Sequence, residues 1–359
     1  MSCINISARP FNLKLKHPFG ISRGTVTLAK NVLVTVQFDD IVAYGEAAPS
    51  SYYGEDQNSV MQFIKAFIKT KRLEEYITNI HKLKNDLDNF HMTSYSARAA
   101  LEIAFWDLIG KIQNKPLYEF FFQGNPFAGG NGSGPPSTSF TIGLDSLTVI
   151  EEKVNEALQS GFNILKVKLG KGFDEDINIL KTVNKAIKNK KCVLRVDANG
   201  GWDLETTNKM LDILPEYNVE FLEQPLPRGM SHLIKSLLEK AKIPIFVDED
   251  CLGINDIESL AGCVNGINIK LMKTGSLIEA INMINLAKSY NLKIILGCMI
   301  ESSCSISAAV HLSPLADYID LDGHLLIEDD PFSGLTLEEN NKILPSFADG
   351  LGIEPSYNY

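Results

Sequence analysis

Five short runs decide the fold of this chain: ILKVKL (164–169), VLRVDAN (193–199), VEFLEQP (219–225), IPIFVDED (243–250) and INIKL (267–271). Each is apolar and reaches a charged residue at or near its end: Lys166 and Lys168, then Asp197, Glu223, Asp248 and Lys270. Near-continuous apolar runs fit strands buried on both faces of a parallel sheet. FTIGL (140–144) precedes them, and KIILGCMI (293–300) and YIDLD (318–322) follow. From Lys168 onward, successive run ends lie 22 to 29 residues apart, the length of one strand plus one crossover helix. Helical patterns such as SLTVIEEKVNEALQSG (146–161), DEDINILKTVNKAIKN (174–189) and SLIEAINMINLAKSYN (276–291) lie between them. Eight such strands without a GxGxxG or P-loop predict a (β/α)8 barrel of the α/β class rather than an open doubly wound sheet.

The chain upstream reads differently. ISARPFNLKL (6–15), NVLVTVQF (31–38) and VAYGEAA (42–48) are short strand patterns. SVMQFIKAFIKT (59–70), LEEYITNIHKLKNDLDNF (73–90) and SYSARAALEIAFWDLIGKIQNK (94–115) have helical spacing, the third apolar on most sides with an N-cap at Thr93 or Ser94. Strands followed by helices indicate an α+β unit. FAGGNGSGPPSTS (127–139) has no apolar period and reads as a loop or linker. The expected organisation is an α+β capping domain (1–126), a linker (127–138), the barrel with its site (139–330) and a C-terminal segment (331–359) returning to the cap.

Composition sets the class. With 359 residues, 45% of them hydrophobic and 22% charged, the chain is long enough for a large core and two domains. A net charge of −10 argues against nucleic acid or an anionic membrane as a partner. The six cysteines have no metal-binding spacing and read as reduced thiols. With no signal peptide or apolar span visible at the N-terminus, a cytoplasmic enzyme is the expectation.

In a barrel of parallel strands the run ends converge on one rim. A lone strand-end carboxylate more often caps the next helix or faces water. Asp197, Glu223 and Asp248 end three successive strands before a turn or a proline, and together they suit Mg2+, with Mn2+ fitting nearly as well. Lys166 and Lys168 are two apart and share a face, so mutual repulsion and the metal are expected to lower the pKa of one of them. Lys270 stands four strands on, across the barrel. Glu249 either holds Lys270 or faces solvent. Such a site moves a proton on and off a carbon beside a carboxylate.

The order KxK, DxN, ExP, DE and NIK at this spacing resembles the enolase superfamily, in its muconate-lactonizing-enzyme-like subgroup, over nearly the whole chain. No histidine near barrel strands six and seven points to the mandelate-racemase-like subgroup. The resemblance implies an enolase-like fold, a modified TIM-like barrel with a capping domain. Within the subgroup, Asp320-Leu321-Asp322 resembles the pair with which dipeptide epimerases bind a free α-amino group. Asp322 alone is explained as a turn residue before Gly323; Asp320 is not. The same pattern implies substrate contacts at Thr141 and Cys298, the latter through its backbone, and places Lys166 beside the substrate carboxylate.

In the cap, PFGISRGT (18–25) and SSYYGED (50–56) are the loops expected to close over the rim. Arg23 can pair with a substrate side-chain carboxylate, although some relatives carry that arginine one position later, at Gly24 here; the second loop contains Tyr52 and Tyr53, and Tyr53 is a candidate substrate contact. The resemblance thus implies a Mg2+-dependent isomerase that inverts the C-terminal residue of a small dipeptide, L-Ala-D-Glu first among them. Lys168 and Lys270 would act as the two bases, in a cell-wall peptide recycling setting and with room for a homo-oligomer. Other activities of the superfamily (o-succinylbenzoate synthase, N-acylamino acid racemase, cycloisomerase) and a non-catalytic ligand-binding barrel are the alternatives.

Overall fold

The N-terminal strands are longer than the sequence predicts. In the computed structural model, which describes residues 4–70, 73–128 and 134–356, β1 (Ile4–Ile21) and β2 (Gly24–Phe38) form one long hairpin, and β3 (Ile41–Ala47) pairs with β2. The register shifts between Lys14 and Phe19, and such a bulge bends a strand pair. Beyond it the ladder continues off the core, and the Gly20 carbonyl accepts from Leu144 N at 2.8 Å on the barrel. Sequence patterning misses this extension because the overhanging residues are not buried by their own sheet.

Helix α1 (Gln57–Ile68) starts at a reciprocal Asp56–Ser59 capping box. The pattern 73–90 divides into α2 (Glu75–Thr78) and α3 (Ile80–Asp88), because the Asn79 side chain caps the second helix. Helix α4 (Tyr95–Gln113) is capped by Ser94 Oγ and ends at Asn114 in the left-handed region, φ 50°. It is buried along most of its length, as its all-round apolar pattern predicts. The sheet packs onto it closely: a Cβ on Gly45 would lie 2.0 Å from the Ala100 carbonyl oxygen, so only glycine fits.

Eight parallel strands then build the barrel: β4 (Phe140–Ile142), β5 (Ile164–Lys168), β6 (Val193–Asp197), β7 (Val219–Glu223), β8 (Ile245–Val247), β9 (Gly266–Lys270), β10 (Lys293–Gly297) and β11 (Tyr318–Asp320). They hydrogen-bond in chain order from β4 to β11. The seam between β11 and β4 is bridged by side chains: Leu321 N donates to Thr138 Oγ1, Ser139 Oγ to Asp320 Oδ1 and Thr141 N to Asp322 Oδ2. The fold is a nearly closed (β/α)8 barrel with an antiparallel capping sheet, the enolase-like fold.

Phe221, Phe246, Ile295 and Tyr318 form a separate apolar cluster inside the barrel, with the Arg195 guanidinium against the Phe221 and Tyr318 rings. The last strands, β12 (Phe332–Ser333), β13 (Leu335–Glu338), β14 (Lys342–Pro345) and β15 (Glu354–Pro355), pair as β12 with β15 and β13 with β14. Asn341, between β13 and β14, accepts from Asn163 N on the barrel, while Leu351 N donates to Asp107 Oδ1 of α4 in the cap. Residues 129–133 of the Gly-rich loop lie outside the described residues, as does Cys3. The other five cysteines are free thiols. Among the described residues no helix is long and apolar enough to cross a membrane.

Candidate active site

Strand register puts the charged run ends at one level. Lys168 is aligned with Asp197 and Asp197 with Glu223, while Lys270 and Asp320 both align with Gly297. Asp248 directly follows β8 and Cys298 directly follows β10. The turn after Glu223 is made by Gln224 at φ 38°, a left-handed conformation that is costly for glutamine. Its side chain offsets the cost, accepting from Asp248 N at 2.9 Å and donating to the Leu226 carbonyl at 2.8 Å.

Lysines and carboxylates meet in pairs across this rim. Lys166 Nζ is 2.6 Å from Asp320 Oδ2, 2.8 Å from Glu223 Oε2 and 3.3 Å from Asp197 Oδ2. Lys168 Nζ is 2.6 Å from Asp197 Oδ2, and Lys270 Nζ 2.8 Å from Asp248 Oδ2. Burial works to lower the Lys166 pKa, but the Asp320, Glu223 and Asp197 carboxylates outweigh it and hold it well above the usual lysine value. The expected lowering by its lysine neighbour is therefore not what governs Lys166: three surrounding anions dominate one neighbouring cation. Burial likewise opposes Lys270, and Asp248 reverses it to a raised pKa.

Among the described residues no three carboxylates form a ready-made metal-ligating cluster, because each is turned toward an ammonium group. The donor set nevertheless fits a hard divalent cation. Burial and then the Asp197 charge push Glu223 up to about 7, an excess of negative charge that a cation relieves. Glu223 Oε2 faces Lys166 but has no aligned hydrogen bond, leaving a buried oxygen with ligating capacity. Asp197, Glu223 and Asp248 are thus the residues that could hold Mg2+.

On the opposite side, Asp320 is held down to about 2: burial raises it, and Lys166 overrides burial. Asp322 is pushed up to about 7 by burial and then by Asp320. Both line, with Thr141, Lys166, Lys168, Asp248, Lys270 and Cys298, a cavity of about 270 Å3 roofed by Phe19, Ile21, Arg23, Val26, Leu28, Lys30 and Tyr53 of the cap. That volume lies just below the range of roughly 300–1,000 Å3 usual for small-molecule pockets. The Cys298 thiol points at the Asp320 carbonyl at 3.3 Å, and burial pushes its pKa well up, so it is no ready nucleophile.

Arg23 reaches the cavity but is not free there. Its Nη2 lies 2.7 Å from Glu249 Oε1, its Nη1 donates to the Asn199 carbonyl at 2.7 Å, and its guanidinium stacks 4.2 Å from the Tyr52 ring centroid. Glu249, 1% exposed, is neither solvated nor the partner of Lys270; it holds Arg23. The hairpin tip thereby docks on the turns after β6 and β8, and Glu249 is drawn away from the lysine.

Several residues of the site have no role in the sequence reading, although Asn199 and Asn268 belong to its DxN and NIK motifs. Lys273 Nζ is buried under Asp248, Asn199 N donates to Asp197 Oδ1 at 2.8 Å, and Asn268 Nδ2 to Glu223 Oε1 at 2.8 Å. Asn268 is two before Lys270 on the same strand face, a period-two signal that could have found it. Ser139, the donor to Asp320, sits in the Gly/Pro-rich loop with no such signal.

Comparison with known proteins bears on the family and the fold. Residues 4–121 match the mandelate racemase/muconate lactonizing enzyme N-terminal domain, and residues 149–358 the enolase C-terminal domain-like family. The chain is 35% identical to an L-Ala-D/L-Glu epimerase of Bacteroides thetaiotaomicron, covering 96% of this chain and 86% of the relative. It is 35% identical to a hydrophobic dipeptide epimerase of Roseobacter litoralis, covering 95% and 96%. A dipeptide epimerase of Enterococcus faecalis, solved with Mg and the dipeptide L-Leu-L-Tyr, superposes with a TM-score of 0.88 at 30% identity, over 98% of this chain and 99% of that one.

Proposed function

The chain belongs to the enolase superfamily, carrying both domains of its mandelate racemase/muconate lactonizing branch, and from that premise we propose that it is a Mg2+-dependent dipeptide epimerase. It is an isomerase that inverts the α-carbon of the C-terminal residue of a dipeptide. The observation that carries this reading is the pair Lys168 and Lys270, on β5 and β9 of the eight-stranded barrel and so on opposing walls of one cavity, with acids at both ends of the axis between them.

Bound at Asp197, Glu223 and Asp248, Mg2+ would supply electrophilic stabilisation of the charge that grows on the substrate carboxylate as its α-proton leaves. Lys168 exchanges that proton on one face and Lys270 on the other, which permits inversion in both directions. Lys166, already among Glu223, Asp197 and Asp320, places a fixed positive charge beside the carboxylate. Asp320 and Asp322 hold the N-terminal ammonium, Thr141 orients Asp322 through its backbone N–H, and the Cys298 backbone and Tyr53 border the substrate.

The dipeptide we favour is L-Ala-D-Glu, taken to L-Ala-L-Glu, in cytoplasmic reuse of cell-wall peptides; the 35% identical epimerase of that name supports it. Substrates of the o-succinylbenzoate, N-acylamino acid and cycloisomerase type lack a free ammonium and would leave Asp320 and Asp322 facing no cation. The test is a dipeptide library incubated in D2O with Mg2+ and read by mass spectrometry. Deuterium should enter the C-terminal α-position of a subset of dipeptides; Mg2+ binding without exchange in any of them would favour a non-catalytic barrel.

A further inference from the structure

The cavity wall carries the cationic side chains of Arg23, Lys30, Lys166, Lys168 and Lys270. All but one are matched to a carboxylate: Arg23 to Glu249, Lys166 to Asp320, Lys168 to Asp197 and Lys270 to Asp248. Lys30 has no carboxylate partner among the described residues. Its backbone is nonetheless fixed. The next residue, Asn31, donates from Nδ2 to Glu46 Oε1 at 2.7 Å and to the Ile300 carbonyl at 3.0 Å, and its own carbonyl accepts from Gln57 Nε2 at 2.6 Å. Val26, Leu28 and Lys30 alternate along β2 and so share the face that roofs the cavity. Val26 and Leu28 are 47% and 39% exposed, large apolar side chains that the protein covers only in part.

An apolar strip ending in an unpaired ammonium suits a side chain of methylenes ending in a carboxylate. Arg23 cannot serve that end cheaply, because drawing it off would leave the buried Glu249 carboxylate unpaired. We propose, resting on the epimerase reading above, that Lys30 is the residue that selects an acidic side chain in the dipeptide, and that Arg23 instead latches the hairpin tip to the barrel. The carboxylate could belong to the C-terminal or to the N-terminal residue, and substrates distinguish the two.

The experiment compares kcat/KM of the wild-type protein, Lys30→Met and Arg23→Met with Mg2+ for L-Ala-D-Glu, L-Glu-D-Ala and L-Ala-D-Leu. Lys30→Met should lower the ratio of an acidic substrate to L-Ala-D-Leu about fivefold, the scale of one solvent-touched ion pair, chiefly through KM. The arm that falls names the residue read. Wild-type preference for that substrate should also shrink as salt rises, since the ammonium is exposed. Arg23→Met should lower all three substrates together. Proportional losses in Lys30→Met, a ratio moved only by Arg23→Met, or wild-type turnover of L-Ala-D-Leu alone would each overturn the Lys30 assignment and leave the epimerase reading standing. No turnover of any dipeptide by the wild type overturns both.

Discussion

Lys273 Nζ lies 2.5 Å from Asp248 Oδ1 while Lys270 Nζ lies 2.8 Å from Oδ2, so the two oxygens of one carboxylate are held by different ammonium groups. Only Lys270 lines the cavity. Lys273 is 2% exposed and also donates to the carbonyls of Asp248, Asn268 and Cys251, at 2.6, 2.9 and 3.0 Å. Every donor it owns is spent on fixing the end of β8 against β9. Replacing it with methionine would strip the Lys273 donor from three buried acceptors, Asp248 Oδ1 and the Asn268 and Cys251 carbonyls, with Lys270 still pairing Oδ2. Lys273→Met is expected to lose about 3–5 kcal/mol of stability, read from urea unfolding of the Mg2+-free protein.

The two cavity lysines should separate by isotope. Lys168→Ala removes the proton carrier on one face and Lys270→Ala the carrier on the other. In D2O with Mg2+, each variant should exchange the α-proton of only one epimer, not the same one, and neither should interconvert them. Proton NMR of each pure epimer reads this directly. Wild-type epimerisation in both variants would remove the two lysines from the mechanism.

Much of this site is legible in the sequence because barrel chemistry sits at strand ends, where an apolar run stops on a charged residue. Asp197, Glu223 and Lys270 are visible that way, and the length of each crossover puts them on one rim. Lys273 is not visible, since it looks like a surface lysine until the short helix Leu271–Thr274 folds it back beneath Asp248. The Arg23–Glu249 pair is invisible for another reason: it joins two domains, and no local pattern records which surface a hairpin tip touches. Lys30 reads as a solvated strand lysine until the cavity beneath it is known.

Mg2+ should stabilise the fold through the same carboxylates. Ligand that binds only the native state adds about 2.7 kcal/mol at a concentration 100 times its Kd. Thermal unfolding should therefore shift upward with Mg2+ and return with a chelator. Glu223→Gln removes one ligand and part of the mutual repulsion that pushes Glu223 up. It should thus raise the Tm of the metal-free protein while reducing the shift that Mg2+ produces. An undiminished shift would place the metal elsewhere.

Asp322 offers the cleaner test of ammonium binding, because Asp320 is already bonded to Lys166 and Ser139. In Asp322→Asn the side-chain oxygen can still accept from Thr141 N, so the seam between β4 and β11 keeps its bond and only the charge is lost. A hydrogen bond to a charged group contributes about 1.5–3 kcal/mol, or roughly 10- to 150-fold. KM for a free dipeptide should rise by that order with a smaller change in kcat. Unchanged KM would show that the substrate amine is bound elsewhere.

Glu46 links the cap to the barrel and gives the protein a distinct pH dependence. It is fully buried, accepts from Ser302 N at 3.1 Å and from Asn31 Nδ2 at 2.7 Å, and has Glu301 as its charged neighbour. Burial drives its pKa up to about 8, against partial opposition from those hydrogen bonds. The folded state therefore binds one more proton than the unfolded chain between about 4.5 and about 8. By linkage its contribution to stability is complete below the unfolded value and is lost as pH rises through the folded one. Glu46→Gln removes this proton uptake while leaving an oxygen for Ser302 and Asn31. Unfolding midpoints in urea, taken at intervals from pH 5 to 8, should fall more steeply for the wild type than for the variant. The difference reports Glu46, because the other raised carboxylates, Glu223 and Asp322 among them, are common to both proteins. Parallel pH curves would mean that Glu46 is ionised in the fold and that its hydrogen bonds outweigh its burial.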